Sequence, residues 1–118
     1  MEVSVLGTAY TIRRVDAGED AYLDKNKFAG YCDEVTKEIV ILNLRSLEAY
    51  KDDPEKRIAA QEKETLRHEI VHAFLNESGL CESSLNYEGG WAHNEEMVDW
   101  IARQEPKLHA AFQAADAM

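Results

Sequence analysis

The sequence predicts an α+β fold in which a small antiparallel or mixed sheet in the N-terminal half packs against two helices from the C-terminal half. Three observations predict it. Runs rich in β-branched and aromatic residues are confined to the region before residue 43. From Pro54 to Ser78 there is no further Pro and no Gly, and apolar residues recur there at three-to-four spacing. A length of 118 residues with 45% hydrophobic content provides one modest core, so residues 1–118 form a single domain.

Taken in order, Val3-Ser4-Val5-Leu6 and Tyr10 to Val15 flank Gly7 and read as one interrupted strand or as a tight hairpin. Asp16 to Phe28 reads as a charged loop with one helical turn around Ala21-Tyr22-Leu23. Gly30 to Asp33 and Lys37 to Leu42, separated by Glu34-Val35-Thr36, read as a hairpin whose second strand is buried. Asp53 is placed as the N-cap and Pro54 as the first residue of a long helix to Ser78. Its apolar face is Ile58, Leu66, Ile70, Ala73 and Phe74, and Gly79 closes it as a left-handed cap with Leu80 folding back. Cys81 to Trp91 reads as a loop. A second helix is expected from about Asn94 to Gln104, with Met97, Val98 and Ile101 inward, and Pro106 starts a further Ala-rich helix.

Composition excludes several functions. With 13 Lys+Arg against 23 Asp+Glu the chain carries a net charge of -10, the wrong sign for a nucleic-acid binder or for an anionic membrane surface. No apolar run approaches the about 20 residues of a membrane span, and Met1-Glu2-Val3 opens no signal segment, so a cytoplasmic protein is expected. Cys32 and Cys81 make neither CxxC nor CxH spacing and are expected to be reduced thiols.

The chemistry concentrates in the long helix, at His68-Glu69-Ile70-Val71-His72. Histidines at i and i+4 share one helical face, so both imidazoles reach a single tetrahedral Zn2+. Glu69 is displaced from that ligand face and sits beside the open coordination position, where it can act as general base on water. This composition yields about 0.02 chance matches to the pattern, and the match falls on the strongest helix.

A third ligand is needed, and Glu95, Glu96, His93 and His109 are the candidates. Glu95 and Asp99 are i and i+4 on one face. They suit a pair in which one binds the metal and the other accepts the outer N–H of a ligand histidine. Glu96 lies about 100° around the helix from Glu95, so the two carboxylates do not both point at one ion. For a developing oxyanion the available donors are Tyr87 and His93. The Ile39–Leu42 strand is either a core strand or an edge to which a peptide adds.

HExxH followed by Asn94-Glu95-x-x-x-Asp99 resembles the gluzincin class of zinc metallopeptidases, as a minimal thermolysin-like core. The plan is also similar to compact phage and bacterial proteins of the ImmA/IrrE group. The likeness spans about residues 60–104. It implies a zincin-like domain and a peptidase in which His68, His72 and Glu95 hold one Zn2+, Glu69 is the base and Asp99 orients a histidine. A peptide or protein is the implied substrate. The alternative is a zinc-bound module that ties two helices together without turnover.

Overall fold

The computed structural model describes residues 1–83 and 90–118. Among these, strands β1 (Glu2–Val5), β2 (Thr8–Val15), β3 (Gly30–Asp33) and β4 (Glu38–Leu42) form one mixed sheet in the order β1-β2-β4-β3. The helices are α1 (Ala21–Asn26), α2 (Glu55–Glu77), α3 (Leu80–Ser83) and α4 (Glu95–Ala114). Short 3-10 turns at Leu44–Ser46, Glu48–Tyr50 and Trp91–His93 complete the set. The fold is α+β, and none of the described helices is long and apolar enough to cross a membrane.

β1 and β2 form a hairpin rather than one interrupted strand. Leu6 and Gly7 take φ of 50° and 86°, the doubly left-handed geometry that matches the twist of a two-residue hairpin. β3 and β4 form the expected second hairpin, and the Asp33 carboxylate accepts from Val35 N and Thr36 N in the turn. β2 pairs with β4 in parallel, from Thr11 opposite Glu38 to Val15 opposite Leu42. This makes β4 an interior strand, which explains its unbroken apolar run: Ile39, Val40, Ile41 and Leu42 are all buried. The Ile39–Leu42 strand is therefore not an edge. Among the described residues the two edges are β1 and β3, and both lie beside α2.

The two faces of the sheet hold separate clusters. Ile39 and Ile41, with Tyr10 and Val5, pack against Leu66, Ile70 and Ala73 of α2. Val40, Leu42 and Val15 pack on the other side with Leu23 of α1, Leu44 and Ile58. α2 thus joins both clusters, Ile58 near its start and Ala73 near its end. Phe74, expected inward, is 41% exposed, and Leu75 is buried in its place against Cys81, Ala92 and Val98. The inward face rotates because the end of α2 leaves the sheet and meets α3 and α4 instead.

The ends of α2 differ slightly from expectation. Pro54, not Asp53, is the N-cap residue, its carbonyl accepting from Arg57 N and Ile58 N. Gly79 has φ of 82°, as a left-handed cap requires. Leu80 does not fold back on it but opens α3 and is 41% exposed. Glu62, 2% exposed, accepts from Leu44 N, Arg45 and Arg14, so its buried carboxylate is fully partnered and ties α2 to the turn after β4.

α4 does not stop before Pro106. It continues through it to Ala114. A proline inside a helix removes the N–H that would reach the carbonyl four residues back, here that of Ala102. Ala102 is buried, and its carbonyl accepts instead from Arg67 Nε of α2 at 2.6 Å. The missing donor of α4 is supplied by the neighbouring helix. Replacing Arg67 by Met should destabilise the protein by about 1–3 kcal/mol, the cost of leaving that carbonyl unpaired. Pro106→Ala restores a backbone donor, so the double variant should recover most of the loss in urea unfolding. Simple additivity of the two changes would contradict this account.

Candidate metal centre

His68 and His72 project from one face of α2 with ring centroids 4.7 Å apart. Across from them, Asn94 caps α4 by accepting from Met97 N at 2.8 Å, which sets Glu95 in the first turn and Asp99 one turn later. Glu95 Oε2 lies 3.0 Å from His68 Nε2 and 3.2 Å from His72 Nε2, and the two Nε2 atoms are 3.1 Å apart. His68 Nδ1 lies 2.7 Å from Asp99 Oδ1. The sequence pair at i and i+4 on α4 thus meets both nitrogens of His68, Glu95 on one and Asp99 on the other.

Hydrogen-bond accounting constrains this triangle. A neutral His68 that donates Nδ1–H to Asp99 presents only a lone pair at Nε2. That lone pair then faces a carboxylate oxygen at 3.0 Å and a second ring nitrogen at 3.1 Å. A metal cation among the three atoms relieves the repulsion, as does a proton on either Nε2. Donors bound at about 2.0–2.1 Å lie roughly 3.0 Å apart at right angles and roughly 3.3 Å apart in a tetrahedron, so the observed triangle suits one small metal ion. Ligand atoms of His68, Glu69 and His72 also fall within 4.8 Å of one another. Glu95 is the better third donor, because its oxygen touches both nitrogens whereas Glu69 Oε1 stands 4.0 Å from His68 Nε2.

Glu69 is buried, and burial pushes its carboxyl up from 4.5 to about 7, with Glu95 and Asp99 adding to the rise and His68 opposing it. Burial also lowers the pKa of His72, against the pull of Glu95, which keeps its ring neutral and able to act as a ligand. Cys32, close to Glu69, is pushed up to about 12, chiefly by burial, and so stays a thiol.

These groups lie in an open cleft of about 730 Å³ between β3, α2 and α4. Gly30 allows the close approach of β3 to α2: a Cβ there would meet Thr65 Cγ2, Ile41 Cδ1 and the Val40 carbonyl, each at 3.0 Å. Ala29 O accepts from Leu42 N, so Ala29 and Tyr31 turn their backbone groups toward β4. Gly30 and Cys32 turn theirs to the open edge. Along α2, Gln61, Thr65, His68, His72 and Asn76 line the cleft as a polar stripe at three-to-four spacing. That stripe is legible in the sequence as polar residues at helical spacing beside the apolar face. Tyr22, Phe28, Tyr31 and Tyr50 also line the cleft, and their scattered positions gave no signal.

Other sequence candidates fall elsewhere. His93 Nε2 lies 2.9 Å from the Cys81 carbonyl and His93 does not line the cleft, so it links the Trp91–His93 turn to α3 rather than offering a donor to the site. Tyr87 lies outside the described residues. Glu96 is exposed and absent from the cleft lining, and His109 Nδ1 lies 3.8 Å from Glu105 on the exposed part of α4. Cys32 and Cys81 are free. Comparison with family models, curated proteins and solved structures finds no match.

The raised Glu69 pKa has a direct consequence for the metal-free protein. Below about pH 4.5 Glu69 is protonated in both folded and unfolded chains. Between 4.5 and about 7 the folded state keeps a proton that the unfolded state has lost, so stability falls as pH rises. The full effect above pH 7 is about 3 kcal/mol. Glu69→Gln should remove this dependence in chelator-treated protein. Equal pH profiles for wild type and variant in urea unfolding would refute the burial effect.

Proposed function

We propose that the chain is a zinc-dependent peptide hydrolase of the gluzincin type, with a zincin-like arrangement of α2 and α4. In this reading His68, His72 and Glu95 hold the ion, Glu69 is the general base and Asp99 orients His68. The observation that carries it is the triangle of His68 Nε2, His72 Nε2 and Glu95 Oε2, with sides of 3.0 to 3.2 Å, beside a buried carboxylate in an open cleft. Two imidazoles and one carboxylate form a donor set suited to Zn2+. Bound there, Zn2+ supplies Lewis acidity that polarises a carbonyl and lowers the pKa of water toward about 7.

The side chains supply the rest. Asp99 holds the Nδ1–H of His68, so Nε2 keeps its lone pair for the ion. Glu69, with a pKa near neutrality, takes a proton from the attacking water and returns it to the departing amine. The outward backbone groups of Gly30 and Cys32 pair with an extended peptide, which joins the sheet beside β3 as a further strand. A purely structural metal site needs no buried base beside it, and Glu69 therefore favours turnover over the module.

Metal content and cleavage test this together. Protein purified without chelators should carry about one zinc per chain, lost on His72→Ala and on Glu95→Ala but kept on Glu69→Gln. Wild type should cut members of an unbiased peptide library, and Glu69→Gln should be slower by roughly two to four orders of magnitude. Iron in place of zinc, or full zinc in the Glu95 variant, would overturn the ligand assignment. Zinc without cleavage would leave the module.

A further inference from the structure

The cleft has a side chamber that the proposed hydrolysis does not use. A second cavity of about 380 Å³ opens beside α1, and Phe28, Ala29, Leu44 and Tyr50 line both it and the cleft. Its remaining wall is Leu23, Leu42 and Leu47 together with the oppositely charged Asp24 and Lys27. On the cleft side, Tyr22 packs at a tilt against Phe28 with centroids 6.0 Å apart and meets Tyr31 edge-on at 4.9 Å. Tyr22 and Phe28 are nonetheless about half exposed, at 52% and 48%. Tyr31 is held in place by Asp20, whose other oxygen caps α1 at Leu23 N. Tyr31 is therefore positioned by the fold itself, and Tyr22, which packs against it, lines the cleft with Phe28.

Position follows from α2. The Leu44 backbone is tied to Glu62, six positions before His68 on that helix. Six helical residues rise about 9 Å, the span of roughly three residues of extended chain.

We infer that this chamber is the specificity pocket of the cleft, taking one large apolar side chain, aromatic by preference, from an extended peptide, two or three residues from the bond lying over His68 and His72. The occupant is a peptide because the chamber shares its lining with a cleft bordered by β3, an edge strand among the described residues, and its side chain is apolar because leucine and aromatic residues make up most of the lining. The distance to the cleaved bond rests on the hydrolase reading, whereas the binding does not. Burying an aromatic side chain there should strengthen binding about ten-fold or more.

The test uses zinc-loaded Glu69→Gln protein and a set of blocked octapeptides of Ala and Ser in which one Phe is moved through every position. Phe-containing members should bind at least about ten-fold tighter than the parent without Phe. Two variants remove the preference by opposite routes: Tyr22→Ala with Phe28→Ala strips the wall, and Leu47→Trp fills the chamber. In each, with zinc content and circular dichroism matched to the parent protein, the Phe advantage should fall to within about two-fold. With Glu69 restored, the cut should fall two or three residues from Phe in every cleaved member.

Binding or cleavage indifferent to Phe, or a preference that both variants retain, overturns the pocket and leaves the hydrolase reading intact. Phe-dependent binding that both variants abolish, with no cleavage by wild type, keeps the pocket and sinks the hydrolase. Failure of all peptides to bind overturns the pocket.

Discussion

His68 and His72 belong to one helix and keep their spacing whatever the rest of the chain does, but Glu95 and Asp99 arrive on another. The triangle of donor atoms exists only if α4 is held against α2 in one register. Three contacts hold it. Val98, Leu75, Cys81 and Ala92 form an apolar cluster under the start of α4. Arg67 Nε reaches the Ala102 carbonyl that Pro106 leaves without a donor, and Arg103 pairs with Glu64 at 2.8 Å further along. The first contact supplies burial, while the second fixes rotation and height, because a hydrogen bond to a single carbonyl tolerates little sliding.

The site opposes the stability of its own scaffold. Glu69, Glu95 and Asp99 crowd their charges around His68, and Glu69 is buried among them. In a chain of net charge -10 this is a local surplus of negative charge, which a divalent cation would relieve. β4 is buried on both faces and joins the cluster under α2 to the cluster under α1. Function and fold meet at Gly30, whose missing side chain brings the β3 edge close to α2.

What the sequence made legible was local. The i and i+4 spacing of His68 and His72, and of Glu95 and Asp99, follows from helix geometry alone, and so does the run of α2 between Pro54 and Gly79. What it hid was tertiary. Alternation identifies strands but not their order, so the parallel pairing of β2 with β4, and with it the identity of the two edge strands, could not be read. The continuation of α4 through Pro106 depends on Arg67, far away in the chain. The exchange of Phe74 for Leu75 reflects α2 leaving the sheet for α3 and α4. The aromatic wall draws on Tyr22, Phe28, Tyr31 and Tyr50, which follow no period.

The strand order has a bearing on how the molecule is built. All four strands are complete by Leu42, before α2 begins at Glu55. Chain order therefore permits the sheet to close first, with the apolar side of β4 waiting for Leu66, Ile70 and Ala73 to arrive. The platform is finished only when α2 supplies Ile58 to one cluster and Leu66, Ile70 and Ala73 to the other, and α4 follows it in the chain. A chain emerging from its N-terminus would have its strands first, its core with α2, and the donors of Glu95 and Asp99 last.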